Sequence, residues 1–432
     1  MREPRDTVLS ISIEVLIIGT LLFAVVSYTT VGSWQMVLIH WGTLALAVLT
    51  AYRAIHDGDV RVPRTWLHLP IALLALAAVL STASSIYRYD SIRETLRILN
   101  YIALFYLAAA NLTTQRAVTR FLTVLVVAAA LLPLAGAMQE WAVAGRAVEI
   151  TSLLPRPLEA ATFGNRDHFA AFLALVLPAG LGLAGYAFRQ RRWDWFGLVT
   201  ICLVLVVISL LETLTRAAWM GVTLALLGGM GLFGVTRAIP REYKSWVALG
   251  AVVSLLLVVG LAPAPAVERL KTVASLGDAD SGMAFRYAVW RDSLRVIHDH
   301  LVRGTGPGTF SLIYTQYRSA VGDLPLLYVD FLHNDYLQYA VEMGVVGGGA
   351  LAVIFVLLIY SLGRSALARF TDPNLPLVLG ALGSVVAFLV AVLYSFEFYI
   401  TANGLLFWTI AALGIRLITV PYSPRPLAGG EG

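Results

Sequence analysis

The sequence predicts an all-α integral membrane protein with about twelve transmembrane helices. Of the 432 residues, 59% are hydrophobic and only 13% are charged, which is about half the charged share of an ordinary soluble domain. The mean hydropathy is +0.78. The apolar residues also fall into runs of roughly 17–25 residues, the length that a helix needs to cross a bilayer.

Twelve such runs can be marked along the chain. They lie at about 8–29, 35–52, 66–84, 97–112, 118–138, 168–188, 196–212, 217–235, 245–263, 344–363, 375–395 and 402–419. The first run is too long and too apolar for a cleaved signal peptide, and it has no obvious small-residue cleavage site. We therefore take it as the first span.

The predicted spans divide the chain into four regions. Residues 1–263 hold spans 1 to 9 together with a polar segment at 139–167. Residues 264–343 form one long polar loop, whose sequence predicts a helical loop between spans 9 and 10. Spans 10 to 12 lie in 344–420, and a Pro/Gly-rich tail follows at 421–432.

The distribution of arginine and lysine indicates how the spans are oriented. With a cytoplasmic N-terminus, the cytoplasmic segments hold more than twice as many of these residues as the short segments on the other face. The long loop is left out of this comparison, because long loops cross the membrane regardless of charge. The sequence thus predicts that both termini are cytoplasmic and that the long loop faces the opposite side. The excess of positive charge mostly reflects this topology and does not indicate nucleic-acid binding.

A first polar motif is "ATFGNRDHF", residues 161–169. Asn165 and Asp167 are residue types that cap the N-terminus of a helix, and a long apolar run follows them. Two interpretations are open for this motif. It is either an interfacial cap, with Arg166 reaching lipid head groups, or Arg166 and His168 rim a pocket at the outer leaflet.

A second polar motif is "LLETLTRAAWMG", residues 210–221. Glu212 and Arg216 are four residues apart, so their side chains would face each other if the segment stayed helical. Ionisable residues near bilayer depth are costly and indicate function. A snorkelling arginine paired with its own glutamate explains the motif equally well.

The third motif is "MAFRYAVWRDSLRVIHDHLVRGTGPGTF", residues 283–310. It predicts an amphipathic helix from about 284 to 301 that ends at the glycines, whose backbone N–H groups can turn toward an anion. Arg291 lies on the polar face, whereas Arg286 lies on the more apolar stripe. Trp290 offers Arg286 some cation–π attraction, but a phosphate is the better match for a guanidinium fork. Docking of this helix onto the membrane domain is the alternative role for Arg286.

The fourth motif is "FLHNDYLQY", residues 331–339, where the chain returns to the bilayer. His333 or Asn334 can cap a short helix that stops at Gly344. The following "GVVGGGA" would then let the next span pack closely against a neighbour. A lone histidine is more often a structural hydrogen-bonding residue. This one lies at the membrane edge on the same face as several arginines, and histidine is well suited to accept a proton near neutral pH.

The sequence does not indicate a metal site or any other cofactor. The single cysteine, Cys202, excludes an internal disulfide and thiolate metal clusters. His298 and His300 would point to different sides of a helix. The acidic stretch "DGDV", 57–60, falls in a predicted cytoplasmic loop. If the protein binds anions, we expect arginines to bind them.

Together and in this order, "TFGNRDHFAAFL", "TRAAW", "FRYAVWRDSLRVIHDHLVRGTGPGTF" and "FLHNDYLQYAVEMGVVGG" resemble the O-antigen ligase and polymerase superfamily of bacterial inner membranes. The resemblance covers residues 160 to 350 approximately. It implies a multispanning glycosyltransferase of the C-type group (GT-C) that takes a glycan from undecaprenyl diphosphate on the periplasmic face. It further implies a metal-independent reaction with inversion at the anomeric carbon.

The resemblance also implies roles for individual residues. Arg216 and Arg286 would neutralise the diphosphate, and His333 would act as base on the acceptor hydroxyl. The supporting residues would be Asn334, Asp335, Tyr336, Arg166, His168, Trp290 and Arg291. The stretch "GNRDHF" departs from the Asn-x-Asn form of the family, so no role is carried over to Asp167.

The resulting expectation is an O-antigen ligase that moves the glycan onto lipid A-core in lipopolysaccharide biosynthesis. A polymerase that uses a second lipid-linked repeat unit is the first alternative, and a protein O-oligosaccharyltransferase is the second. A transporter of lipid-linked glycan is the competing class. Transporters usually contain halves related by an internal repeat, whereas the polar residues here concentrate on one face.

Overall fold

The computed structural model describes residues 4–27, 33–57, 62–144, 160–235, 281–319, 328–369 and 372–419. The regular elements within these ranges are helices. They are α1 (Pro4–Val26), α2 (Ser33–Asp57), α3 (His68–Ala83), α4 (Arg88–Asn111), α5 (Gln115–Ala144), α6 (Arg166–Arg189), α7 (Trp193–Glu212), α8 (Arg216–Val235), α9 (Ser281–Asp299), α10 (Phe310–Tyr317), α11 (Asp335–Ala368), α12 (Leu375–Ala391) and α13 (Thr401–Thr419). Two 3₁₀ turns, Ala161–Phe163 and Glu397–Tyr399, precede α6 and α13.

The helical membrane class is confirmed by the length and composition of these helices. Seven described helices are long and apolar enough to cross a bilayer, namely Val8–Val26, Trp34–His56, Gln115–Met138, Arg166–Arg189, Trp193–Glu212, Asp335–Ala368 and Thr401–Thr419. His68–Ala83 and Leu375–Ala391 are apolar but shorter. The predicted ninth span, 245–263, and the tail at 421–432 lie outside the described residues. The total of twelve spans and their orientation therefore stay predictions.

The helices pack around α6 and α13, which are the most enclosed spans. Within the bundle, 89% of the α6 span and 83% of the α13 span are buried. Small residues permit this packing: a Cβ atom on Gly182 of α6 would overlap the backbone of α12 at Pro376 and Gly380. Ser384 of α12 also donates a hydrogen bond to the carbonyl oxygen of Leu175 in α6, at 2.6 Å. Helix α6 is thereby held in the interior of the bundle.

The described part of the long loop is a small helical unit with its own core. Helix α9 begins and ends close to the predicted bounds. The core of this unit consists of Val289, Val296, Phe310, Ile313, Tyr314, Val329, Leu332 and Val341. The buried carboxylate of Asp292 accepts hydrogen bonds from Arg295 at 2.9 Å and from the backbone N–H of Ser319 at 2.8 Å. The unit is thus fixed by apolar packing and by one buried carboxylate.

The close approach expected from the glycines of "GVVGGGA" occurs at the first of them, Gly344. Gly344 interrupts α11 with φ 66° and ψ −174°, and a Cβ atom there would overlap the carbonyl oxygen of Val302. A Cβ on Gly348 would instead contact Ala340 of the same helix, and Gly349 faces open space. Gly344, the first residue of "GVVGGGA", is therefore where the chain that follows α9 crosses α11. The packing of the rest of this stretch on a neighbouring helix stays a prediction.

Candidate functional site

Four segments that are far apart in the sequence meet at one end of the bundle. They are the start of α6, the turn between α7 and α8, the segment before α11, and the segment between α12 and α13. Thr215 donates a hydrogen bond to the carboxylate of Asp167 at 2.8 Å, which joins the first two segments. His168 Nδ1 lies 3.0 Å from Glu397 Oε1, which joins the first and the last. The predicted polar motifs therefore come together.

The segment before α11 holds His333 in an unusual backbone conformation. Its φ is 55°, a left-handed value that costs energy for a residue other than glycine and is often found at functional sites. The backbone N–H of Leu332 donates to Gln338 Oε1 at 2.9 Å, which fixes the turn. The half-buried His333 ring packs edge-on against Phe396 and Phe285, with centroid distances of 5.1 and 6.1 Å. Among the described residues, neither ring nitrogen of His333 has a hydrogen-bond partner.

The surroundings of His333 favour its neutral form. The pKa of its imidazole is lowered to about 4, chiefly by burial and next by the nearby positive charge of Arg286. The carboxylate of Asp167 opposes this effect and His168 adds to it. His333 is therefore unprotonated at neutral pH, which leaves a nitrogen lone pair to accept a proton.

Arg286 lies on the buried side of α9, as the sequence predicted. It is half-buried, and Val289 and Ser293 on the same stripe are fully buried. Its Nε atom is buried without a hydrogen-bond partner, and no carboxylate of the described residues forms an ion pair with it. Trp290 does not serve as the expected cation–π partner: it donates its indole N–H to the carbonyl oxygen of Leu332 at 3.0 Å. Arg286 thus places beside His333 a positive charge that no carboxylate of the described residues pairs with.

Arg216 is the first residue of α8, and the chain before it is not helical. Helix α7 ends at Glu212, and Leu214 has φ 53°. The segment therefore does not keep the i,i+4 helical geometry in which Glu212 and Arg216 would face each other. Because Thr215 binds Asp167, the N-terminal ends of α6 and α8 lie side by side. Free backbone N–H groups at helix N-termini attract anions, so this arrangement adds to the positive potential.

The three residues that follow His333 stabilise the backbone around it. Asn334 caps α11 by accepting a hydrogen bond from a backbone N–H. Asp335 accepts one from the N–H of Phe398 at 2.9 Å, and Tyr336 donates to the carbonyl oxygen of Leu389 at 2.9 Å. These bonds hold the backbone around His333 against the last turn of α12 and against the segment between α12 and α13.

The remaining predicted residues divide into exposed and buried ones. Arg166 is exposed. Arg291 is 66% exposed and donates to Ser319, so it lies on the polar face of α9, away from the buried stripe that carries Arg286. His168 is buried and bound to Glu397, a residue that the motifs did not identify. A single carboxylate between two apolar spans is the sequence signal that points to Glu397.

At the glycine-rich loop 304–308, backbone N–H groups donate hydrogen bonds to a carboxylate of the same chain. The backbone N–H groups of Gly308 and Phe310 donate to Glu342 at 2.7 and 3.3 Å, and the Tyr399 hydroxyl also donates to it. The loop does turn toward an anion, but that anion is the fully buried Glu342. The loop is therefore a joint between α9 and α11.

A comparison with protein families gives a match in the central part of the chain. The sequence model of the family described as O-antigen ligase matches residues 201–352. This segment contains Arg216, Arg286 and His333, whereas His168 and Glu397 lie outside it. No curated protein matches the chain.

Proposed function

We propose that the chain, whose residues 201–352 match the family model described as O-antigen ligase, is a metal-independent, inverting glycosyltransferase. It would move a glycan from undecaprenyl diphosphate to a hydroxyl group of an acceptor. The observation that carries this proposal is the pairing of a neutral His333 with the positive charge of Arg286. Such a pair supplies what the reaction needs: a base for the hydroxyl and a cation for the diphosphate.

The donor diphosphate would lie between Arg286 and Arg216, near the N-terminal ends of α6 and α8. A guanidinium group can bind two phosphate oxygens at once. Negative charge builds on the leaving oxygen as the glycosidic bond breaks, and fixed positive charges stabilise this transition state most effectively where water is scarce. A diphosphate is already a good leaving group, so the reaction requires no strong general acid.

His333 would take the proton of the acceptor hydroxyl. As that oxygen attacks the anomeric carbon, its new bond forms and the carbon–oxygen bond to the diphosphate breaks. The proton ends on His333 and the electron pair ends on the released undecaprenyl diphosphate. The negative charge of the bound diphosphate offsets the positive charge of Arg286. This raises the pKa of His333 in the complex, so that His333 becomes a stronger base.

We further propose that the acceptor is lipid A-core and that transfer takes place on the periplasmic face of a bacterial inner membrane. The seven membrane-type helices support the membrane location. The exposed basic face of α9, with Arg291 and Arg295, offers a bulky anionic acceptor a surface beside the site.

A transfer assay with purified full-length protein tests the proposal. It uses an undecaprenyl-diphosphate-linked glycan as donor, chelator throughout, and lipid A-core or a second lipid-linked repeat unit as separate acceptors. We expect product on lipid A-core. Elongated lipid-linked chains would make the protein a polymerase, and a product on neither would contradict glycan transfer to these acceptors.

Two variants and one matched control sharpen the assay. His333→Ala should lower the transfer rate at least about 100-fold, since a positioned base contributes 10²- to 10⁴-fold. Arg286→Ala should raise the donor KM and lower kcat, because it removes charge from the diphosphate. Arg291→Ala, on the exposed face of the same helix, should leave the donor KM unchanged. Equal effects of the two arginine variants would remove Arg286 from the site.

A further inference from the structure

A second histidine lies beside His333 and is held more rigidly. The side chain of His168 is 4% exposed and that of Glu397 is fully buried. His168 Nδ1 and Glu397 Oε1 are 3.0 Å apart. The proposed mechanism does not use this pair, although a histidine oriented by a buried carboxylate is a recurring arrangement in catalytic sites.

The partners of Glu397 determine which nitrogen of His168 carries the hydrogen. The Ser395 hydroxyl donates to Oε1 and the Asn403 side-chain amide donates to Oε2, each at 2.6 Å. Glu397 is therefore an acceptor in both of these bonds, and Nδ1 of His168 donates to it in the same way. Asn403 also donates to the backbone oxygen of His168 at 2.9 Å. The imidazole is thus fixed in position and tautomer, and no described residue forms a hydrogen bond with its Nε2.

The two histidine rings share one aromatic neighbour. Phe396 lies 4.8 Å from the ring of His168 and 5.1 Å from that of His333, nearly perpendicular to both. Phe331 stacks on Phe396 at 4.0 Å and keeps that ring in place. The two histidines are also close enough for the charge of His168 to lower the pKa of His333. Both imidazoles therefore lie around one aromatic ring at the same end of the bundle.

We propose that Nε2 of His168 binds a sugar hydroxyl of the substrate, next to the hydroxyl that His333 deprotonates. This inference rests on the proposed glycan transfer. A hydroxyl both donates and accepts hydrogen bonds, so it suits an imidazole nitrogen in either protonation state. Glu397 is a positioning residue that acts through His168. The pair would select the acceptor sugar, because a site built to bind a hydroxyl discriminates strongly against an analogue that lacks it.

Steady-state kinetics of the transfer reaction test this role, with lipid A-core as acceptor and the lipid-diphosphate glycan as donor. His168→Gln should raise the acceptor KM about tenfold, the effect of losing one hydrogen bond, and leave the donor KM unchanged. His298→Gln is the matched control, because His298 Nδ1 also binds a carboxylate, that of Asp299, at 2.9 Å but is 87% exposed. That variant should leave both KM values unchanged.

A double-mutant cycle separates positioning from a merely structural contact. If Glu397 acts through His168, Glu397→Gln should raise the acceptor KM in the wild-type background and have little further effect on His168→Gln. Independent effects of the two substitutions would contradict this role for Glu397. Thermal unfolding of each variant in detergent shows whether it is folded.

Deoxy acceptors, each of which lacks one hydroxyl group, offer a second test. With one of the deoxy acceptors, the acceptor KM of the wild type should be higher than with the complete acceptor. In His168→Gln the same missing hydroxyl should cause no further rise. A response confined to deoxy donors and the donor KM would assign the bound hydroxyl to the donor glycan. If no deoxy acceptor or donor changes either KM, the inference about His168 is wrong while glycan transfer stands. If the wild type transfers no glycan at all, the proposed function and this inference both fall.

Discussion

Removing the charge of Arg286 should make His333 easier to protonate. Burial and Arg286 together lower the pKa of His333 from its ordinary value of 6.5 to about 4, and burial is the larger cause. Substitution by glutamine removes the charge and leaves a shorter, polar side chain. Burial remains in the variant, so we expect the pKa to rise by less than half of the difference, by roughly one pH unit.

The acid limb of kcat/KM against pH reports the pKa of the essential base in the free enzyme. For the wild type we expect a profile that stays level from pH 8 to about 5 and falls toward pH 4. In Arg286→Gln the plateau should be lower and the limb should lie about one pH unit higher. Arg291→Gln, which changes an exposed arginine on the same helix, should leave the limb in place. A wild-type limb at the ordinary histidine value, or a limb that Arg286→Gln does not move, would refute the reasoning.

Three further predictions concern stability and the joint between α9 and α11. Gly344→Ala should lower the free energy of unfolding by about 2–4 kcal/mol, because its φ is 66° and a Cβ atom would overlap Val302. Thermal unfolding in detergent measures this effect. Gly349→Ala is the control, because a Cβ atom at Gly349 would meet open space. Glu342→Gln should weaken its bond with the N–H of Gly308 and lower kcat about tenfold, on the scale of one charge-assisted hydrogen bond. The folded-state pKa of His333 is about 4, so the unfolded state binds more protons between pH 6.5 and 4. The free energy of unfolding should therefore fall as pH decreases through this range. His333→Asn should reduce this pH dependence, which unfolding scans at pH 7 and 5 measure.

Features set by local sequence were predicted well. The apolar runs located the described helices, and asparagine types marked the caps of α6 and α11, where Asn165 and Asn334 each accept a backbone N–H. The 3.6-residue period placed Arg286 on the buried stripe of α9 and Arg291 on its exposed face. Each of these depends on residues within a turn or two of the chain, so the sequence pattern contains them.

Features set by contacts between distant segments were not predictable in this way. His168 and Glu397 are separated by 229 positions, and only the packing of α6 against α12 and α13 brings them together. The left-handed backbone of His333 and Leu214 is marked by no residue type that favours it, such as glycine or asparagine. The glycine-rich loop suggested an anion, but the sequence did not show that the carboxylate of Glu342 occupies its N–H groups.

The central claim is that one site, built around His333 and Arg286, transfers a glycan from a lipid diphosphate to a hydroxyl group. The most direct measurement follows both products in a single reaction of purified protein, donor and lipid A-core in the presence of chelator. We predict that undecaprenyl diphosphate and glycosylated acceptor accumulate in equal amounts with the wild type, and that neither forms with His333→Ala. The account would be contradicted if the diphosphate were released without glycosylated acceptor, or if His333→Ala formed both products at the wild-type rate.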